Sequence, residues 1–402
     1  MRVPRSLRTL SSLLANSLIL GLLPLIMMPI AARYLPSNQL ATFVQLWVGY
    51  NFISISLFGT LESMMPRLMR QGVKKPQLLA LSSLGYLASA LMVMGLLVSM
   101  GLANDLVLVA GLFATVLVYG VHALVRGTLM AHERWSLLAA ATGSQALVTL
   151  TSLMLGLYLF GPRLAVFFVS LMLGYVAVVI LYLARMPRTQ EVASPQGDDR
   201  VASVGSYIRL ALTSMIASLL PASPVLVAGR LGASSDELLF LATAPYLVRI
   251  AISVSNAITP WFLSVYQKHR YSPRWLLSAH LVTLILPASI AVVILAVGGQ
   301  AILGAYLGRE INYSTSAFLL ILLAELIFGG AGAFRTFDLA IGVSKTQVYS
   351  WLAGLIVFTS FFIYLRDADV VMGLASALAG SACIVFAIQA VRVITFSKRG
   401  AA

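Results

Sequence analysis

The chain has 402 residues, 60% of them hydrophobic and 10% charged, and its mean hydropathy is +0.94. Soluble domains carry about 25% charged residues, so a water-covered globule of this size is excluded; twelve apolar stretches of about 21 residues, each able to cross a hydrocarbon core of about 30 Å, account for most of the apolar positions. The formal net charge of +14 would point to nucleic acid in a soluble protein, but most of the basic residues sit in short segments between apolar runs, so the charge reads as membrane topology and no nucleic-acid partner is expected.

In chain order, a basic head (Arg2, Arg5, Arg8) precedes a first apolar run over 11–32. That run is longer than a signal-peptide core of about 7–15 residues and leads directly into another span, so it is expected to stay as a helix. It carries Asn16 and is interrupted by Pro24 and Pro29. The second span, 40–62, carries Gln45, Trp47, Tyr50 and Asn51 and exits into the densest basic cluster, Arg67, Arg70, Lys74 and Lys75. Spans follow at 78–101, at 106–127 with His122 near its inner end, at 135–160 and at 163–184. The longest polar break, 185–206, is read as a cytoplasmic linker between an N-terminal six-helix bundle (1–184) and a C-terminal one (207–402). The seventh span, 207–229, is interrupted by Pro221 and Pro224; the eighth, 238–264, carries Tyr246, Arg249 and Trp261. The ninth, 275–298, opens near His280; the tenth, 314–337, carries Glu325; the last two lie at 346–365 and 370–392.

This span count can be checked against charge. It puts 21 of the 27 Lys and Arg on one side and five (Arg33, Arg163, Arg230, Arg309, Arg366) on the other, with Arg249 inside a span. The poor side also holds Asp105, Asp236, Glu237, Glu310, Asp367 and Asp369. A miscounted span would scramble that bias, so both termini are expected in the cytoplasm. The outward loops are too short for a folded domain, and no G-x-x-x-x-G-K-[ST] phosphate loop occurs, which excludes ATP-driven transport by this chain alone. One cysteine, Cys383, permits no internal disulfide, and the four separated histidines offer no metal-ligand spacing. Neither metal nor cofactor is expected.

The halves repeat. Leu22-Leu23-Pro24 is followed by Arg33 and Ser37, and Leu219-Leu220-Pro221 by Arg230 and Ser234, all at a single offset of 197; a weaker echo relates Arg126 and Ala131 to Arg335 and Ala340 at 209. Six spans is an even number, so the halves share an orientation and predict two six-helix bundles related by an axis along the membrane normal. Pro24, Pro29, Pro221 and Pro224 each remove a backbone donor and free a carbonyl that lipid cannot satisfy. Proline-broken helices in matched positions point towards a transport site; ordinary kinking is the plainer reading.

The segment Ala31-Ala32-Arg33-Tyr34-Leu35, after a proline-containing first helix, resembles the "a-R-x-L-G" end of the first helix in polysaccharide flippases. Phe58-Gly59 followed by Arg67 and Arg70 is similar to their second-span exit, and Gly299 to Gly308 to their short segment between the ninth and tenth spans. The family is that of the Wzx-type O-antigen and exopolysaccharide flippases, within the multidrug/oligosaccharidyl-lipid/polysaccharide exporter superfamily. Pro36 departs from the family's glycine, which Gly232 keeps in the second repeat. The resemblance implies an all-α membrane protein of twelve transmembrane helices in two parallel-repeat bundles, a V-shaped alternating-access transporter. It implies flipping of undecaprenyl-pyrophosphate-linked oligosaccharide across the bacterial inner membrane, driven by an ion gradient and without enzymatic chemistry. The implied partners are the lipid-linked oligosaccharide, membrane lipids, a polysaccharide polymerase and a chain-length regulator, with the chain itself a monomer.

Arg249 lies about twelve residues, or about 18 Å at 1.5 Å per residue, into the eighth span, and Glu325 lies at similar depth in the tenth. A charge at that depth costs about 2.5–3.5 kcal/mol or more, so each should face protein or water. Arg249 is a candidate contact for a pyrophosphate or acidic sugar, because a guanidinium donates in a planar fork; Glu325 is a candidate coupling carboxylate. A static Arg249–Glu325 pair is the structural alternative. Asn51, Tyr50 and Tyr246 are candidates for binding sugar, with interhelical bonding the alternative for Asn51 and Asn16. Arg67 and Arg70 serve topology, or first capture of the lipid pyrophosphate. His122 and His280 read as proton-titrating groups or as hydrogen-bonding struts. Two other functions compete: a small-molecule exporter of the same superfamily, against which the acid-poor interior argues, and a membrane enzyme such as a polysaccharide polymerase, for which no positioned acid–base set is found.

Overall fold

The computed structural model describes residues 5–53, 57–70, 75–102, 106–185, 204–249, 252, 273–311, 313–341, 345–365 and 369–399. They form helices throughout: α1 (Arg5–Tyr34), α2 (Ser37–Ile53), α3 (Gly59–Arg70), α4 (Lys75–Ser99), α5 (Leu106–Ala131), α6 (Trp135–Phe160), α7 (Leu164–Arg185), α8 (Val204–Arg230), α9 (235–249), α10 (Pro273–Leu307), α11 (Thr315–Ile341), α12 (Lys345–Leu365) and α13 (Val370–Arg399). Each expected span falls on one of these helices, except that the second is covered by α2 and α3 together and that most of the eighth beyond 249 lies outside the described residues. Most of the 185–206 linker lies outside them too.

Nine helices among the described residues are long and apolar enough to cross a membrane. Their outer faces carry large apolar side chains that water would penalise: Leu147, Leu155 and Tyr158 on α6, Val297 on α10 and Tyr364 on α12 are all exposed. Lipid is the solvent that such faces suit, and helices are the element whose backbone bonds close without water. This is a multi-pass membrane protein.

The helix ends are capped by local chemistry. Ser234 and Glu237 form a capping box at the start of α9: the Ser234 amide and hydroxyl donate to Glu237 Oε2 (2.7 and 2.8 Å), and the Glu237 amide donates back to Ser234 Oγ (3.3 Å). Asp369 caps α13, accepting from the amides of Val371 and Met372. The departure at Pro36 has a local reason. After α8, Gly232 takes a left-handed φ of +76° to end the helix, whereas after α1 the chain passes straight into α2, whose first bond runs from the Leu40 amide to the Pro36 carbonyl (2.8 Å). A position needing no positive φ accepts proline.

The chain divides into two compact units, Met1–Ile19 with Leu46–Met215, and Leu20–Gln45 with Ile216–Ala402. In the first unit α5 packs on α3, α4, α6 and α7. Small residues permit close approach: a Cβ on Gly174 of α7 would collide with Thr149 Oγ1 and lie 2.8 Å from the Gln145 carbonyl of α6, and one on Gly127 of α5 would lie 3.1 Å from the Glu62 carbonyl of α3. In the second unit α11 packs on α10 and α13, and α12 on α13. The C-terminal part of α1 and the start of α2 belong to this second unit, and Met27, Met28, Ala31, Leu40 and Phe43 there have no exposed surface.

Candidate functional site

In the second unit, α9 and α11 bring Arg249 and Glu325 together. The guanidinium donates in a fork: Nε to Oε2 and Nη2 to Oε1, both at 2.9 Å. One turn earlier on α9, Tyr246 places its ring 5.3 Å from the Arg249 guanidinium carbon. The partners differ in exposure. Glu325 is 3% exposed, while the Arg249 side chain remains 33% exposed. The carboxylate neutralises the arginine, whose side chain as a whole keeps a third of its surface. A planar fork that holds two carboxylate oxygens also matches two oxygens of a phosphate.

The first unit contains a second charged cluster. Arg126 of α5, 4% exposed, donates from Nε to Glu62 Oε1 of α3 (3.0 Å) and from Nη1 to Asn16 Oδ1 of α1 (3.2 Å) and Thr142 Oγ1 of α6 (2.6 Å). The Thr142 hydroxyl donates onward to Asn16 Oδ1 at 2.6 Å. One turn away on the same helices, His122 bonds Gln145 Oε1 through Nε2 (3.0 Å), and its ring packs against Tyr119 and Tyr175 with centroids 5.5 and 4.9 Å away. The geometry of His122 is that of a buried strut. Arg126, counted from sequence among the inner-side charges, stands five residues inside α5 and not in a loop.

The remaining candidates are distributed between the units. Tyr50 is buried in the aromatic core of the first, edge-on to Tyr119 and Phe168 at 6.2 and 6.5 Å. Asn51 is half-buried and donates to the Trp47 carbonyl of its own helix at 2.8 Å. Arg67 and Arg70 lie on α3, and their side chains are outside those described, as are the side chains of Lys75 and His280; Lys74 and Trp261 lie outside the described residues altogether. Pro24 and Pro29 fall inside α1, and Pro221 and Pro224 inside α8. The carbonyl that Pro224 frees, that of Leu220, is taken by the Ser223 hydroxyl at 2.6 Å. Among the described residues no cluster of His, Cys, Asp or Glu could hold a metal ion.

Sequence reading passed over Glu62 and Thr142 and gave Arg126 no structural role. One signal was there to be used: Pro66 and Gly127 mark where α3 frees a carbonyl and where α5 lets it come close, and Glu62 and Arg126 are the charges beside those positions.

No protein-family model matches the chain, and no curated protein sequence matches it significantly. Solved structures do match its fold. A eukaryotic MATE transporter aligns with a TM-score of 0.70 at 14% identity, over 97% of this chain and 96% of its own. The outward-facing conformation of a multidrug resistance MATE family transporter of the MOP superfamily gives 0.65 at 15%, over 98% and 96%. The lipid II flippase MurJ, in an inward closed conformation, gives 0.64 at 12%, over 96% and 87%. The chain has the fold shared by these transporters.

Proposed function

We propose that this chain flips a pyrophosphate-linked oligosaccharide lipid from the cytoplasmic to the outer leaflet of the bacterial inner membrane, by alternating access coupled to an ion gradient. The observation carrying this reading is the forked Arg249–Glu325 pair, whose arginine side chain is one-third exposed. An arriving pyrophosphate offers the guanidinium the same two-oxygen geometry that Glu325 now fills. Substrate therefore exchanges for the carboxylate, and the released Glu325, buried and stripped of its partner, takes up a cation. Binding of anionic cargo and of a coupling cation become one event. Arg67 and Arg70, on the basic exit of α3, supply first capture of the head group, and Asn51 and Tyr246 supply polar and aromatic surface for sugar.

The test is a deletion strain complemented with Arg249→Ala. Loss of surface polysaccharide, with the protein still inserted and lipid-linked repeat units held on the inner leaflet, supports the reading. Normal polysaccharide removes Arg249 from the mechanism.

A second reading, export of small cationic molecules, draws on Glu325 and on the Tyr246 ring, each of which already engages the Arg249 cation, and on the multidrug resistance transporter whose fold this chain shares. Drug hypersensitivity of the deletion strain with intact polysaccharide favours it.

A further inference from the structure

Pro29 lies inside α1 and has no N–H, so the carbonyl four residues earlier, that of Leu25, lacks its regular donor in the helix. Leu25 is 6% exposed, and a buried carbonyl without a donor is costly in water or lipid. The structure supplies the donor from elsewhere. The hydroxyl of Tyr306, in the last turn of α10, donates to the Leu25 carbonyl across 281 residues of sequence. Two further contacts seat the same stretch of chain in the second unit. The Arg33 guanidinium lies over Gly308 and the Gln45 side-chain amide over Gly229, each so close that a Cβ on the glycine would collide with it. The stretch Leu20–Gln45 is therefore held as part of a unit whose other residues begin at Ile216.

The two proline-broken helices solve the same problem differently. In α8 the carbonyl freed by Pro224 is capped by Ser223 of the same helix, a bond that moves with its helix. In α1 the cap comes from α10, so the bond exists only while the outer part of α1 is seated.

We infer that Tyr306 is a positioning residue for transport: its hydroxyl replaces the backbone bond that Pro29 denies to α1, and this replaceable bond holds the outer part of α1 in the second unit until the transport cycle releases it. An amide in place of Pro29 would make the bond permanent; a phenol that swings away makes it a latch. The inference rests on the transporter reading of the chain and on neither choice of cargo.

The experiment is a cycle of four proteins in nanodiscs and proteoliposomes: the natural chain, Tyr306→Phe, Pro29→Ala and the double variant. Hydrogen exchange of the amides of α1 is measured without any cargo. With Pro29 present, Tyr306→Phe is expected to speed exchange around Leu25 roughly three- to fivefold, the size of one interhelical hydrogen bond in a membrane protein. In the Pro29→Ala background it is expected to change nothing, because the amide restored by that substitution now serves the Leu25 carbonyl. Transport is followed with two probes, a fluorescent polyprenyl-pyrophosphate-linked sugar and ethidium. For whichever is moved, Tyr306→Phe is expected to slow turnover at least threefold, and Pro29→Ala is expected to slow it further and to be unaffected by adding Tyr306→Phe. Equal effects of Tyr306→Phe on exchange in the two backgrounds overturn the inference, as does an unchanged transport rate in all four proteins. Movement of ethidium alone refutes the oligosaccharide cargo and leaves the latch standing. Movement of neither probe by the natural chain refutes both the transporter reading and the role of Tyr306 in it.

Discussion

Removing Arg126 tests whether the cluster in the first unit is a structural clamp. Arg126→Ala deletes three hydrogen bonds, to Glu62, Asn16 and Thr142, and leaves the Glu62 carboxylate without its cation. Counted as interhelical hydrogen bonds in a membrane protein, at about 0.6 kcal/mol each, the loss is about 2 kcal/mol. Counted as a buried ion pair broken on one side, it is about 3–5 kcal/mol, because the stranded charge is the dominant cost. Arg126 is 4% exposed and Glu62 16% exposed, so water reaches the acid poorly and the second figure should prevail. Two controls separate the terms. Thr142→Val removes a neutral hydroxyl that accepts from Arg126 and donates to Asn16, and is expected to cost about 1 kcal/mol. Glu62→Gln with Arg126→Met removes both charges, and is expected to recover a good part of the loss. The assay is the unfolding free energy in bicelles by steric trapping. If Arg126→Ala costs no more than Thr142→Val, the pair is not desolvated and the clamp does not exist.

Three further outcomes are expected. Arg249→Lys keeps the charge but cannot reproduce the two-pronged geometry to Glu325, so transport of the pyrophosphate-linked probe should fall about tenfold or more in proteoliposomes, while Lys at an exposed control position such as Arg163 changes nothing. Gly174→Ala places a methyl against the α6 backbone and should cost about 1–3 kcal/mol in the same unfolding assay, whereas Gly111→Ala, with open space around it, should be neutral or slightly stabilising. Reporter fusions at both ends of the chain should report the cytoplasm; an outward signal from either would refute the span count.

The helices were legible because hydropathy and proline chemistry are local. The run 135–160 appears as α6 over the same residues, and the breaks after 34, 160, 230 and 365 are marked by Pro, Gly and acidic residues that cap or stop a helix. Charge asymmetry between loops gave an orientation because it depends only on counting. That Arg249 and Glu325 stand at matching heights was likewise readable, since 1.5 Å per residue turns sequence position into position along an axis, and their ion pair agrees with it. Partner choice was not. Which face of α5 meets α3, and so whether Arg126 ends in a headgroup or against Glu62, depends on the rotation of each helix about its axis, and an almost uniformly apolar helix leaves that rotation unmarked. Gly127 and Gly174 decide it by letting particular backbones touch. The sequence alone determined that four prolines free four carbonyls in α1 and α8. Only the tertiary structure decided that Tyr306 takes the one at Leu25, because a donor 281 residues away is brought to that carbonyl by packing and by nothing in the local chain.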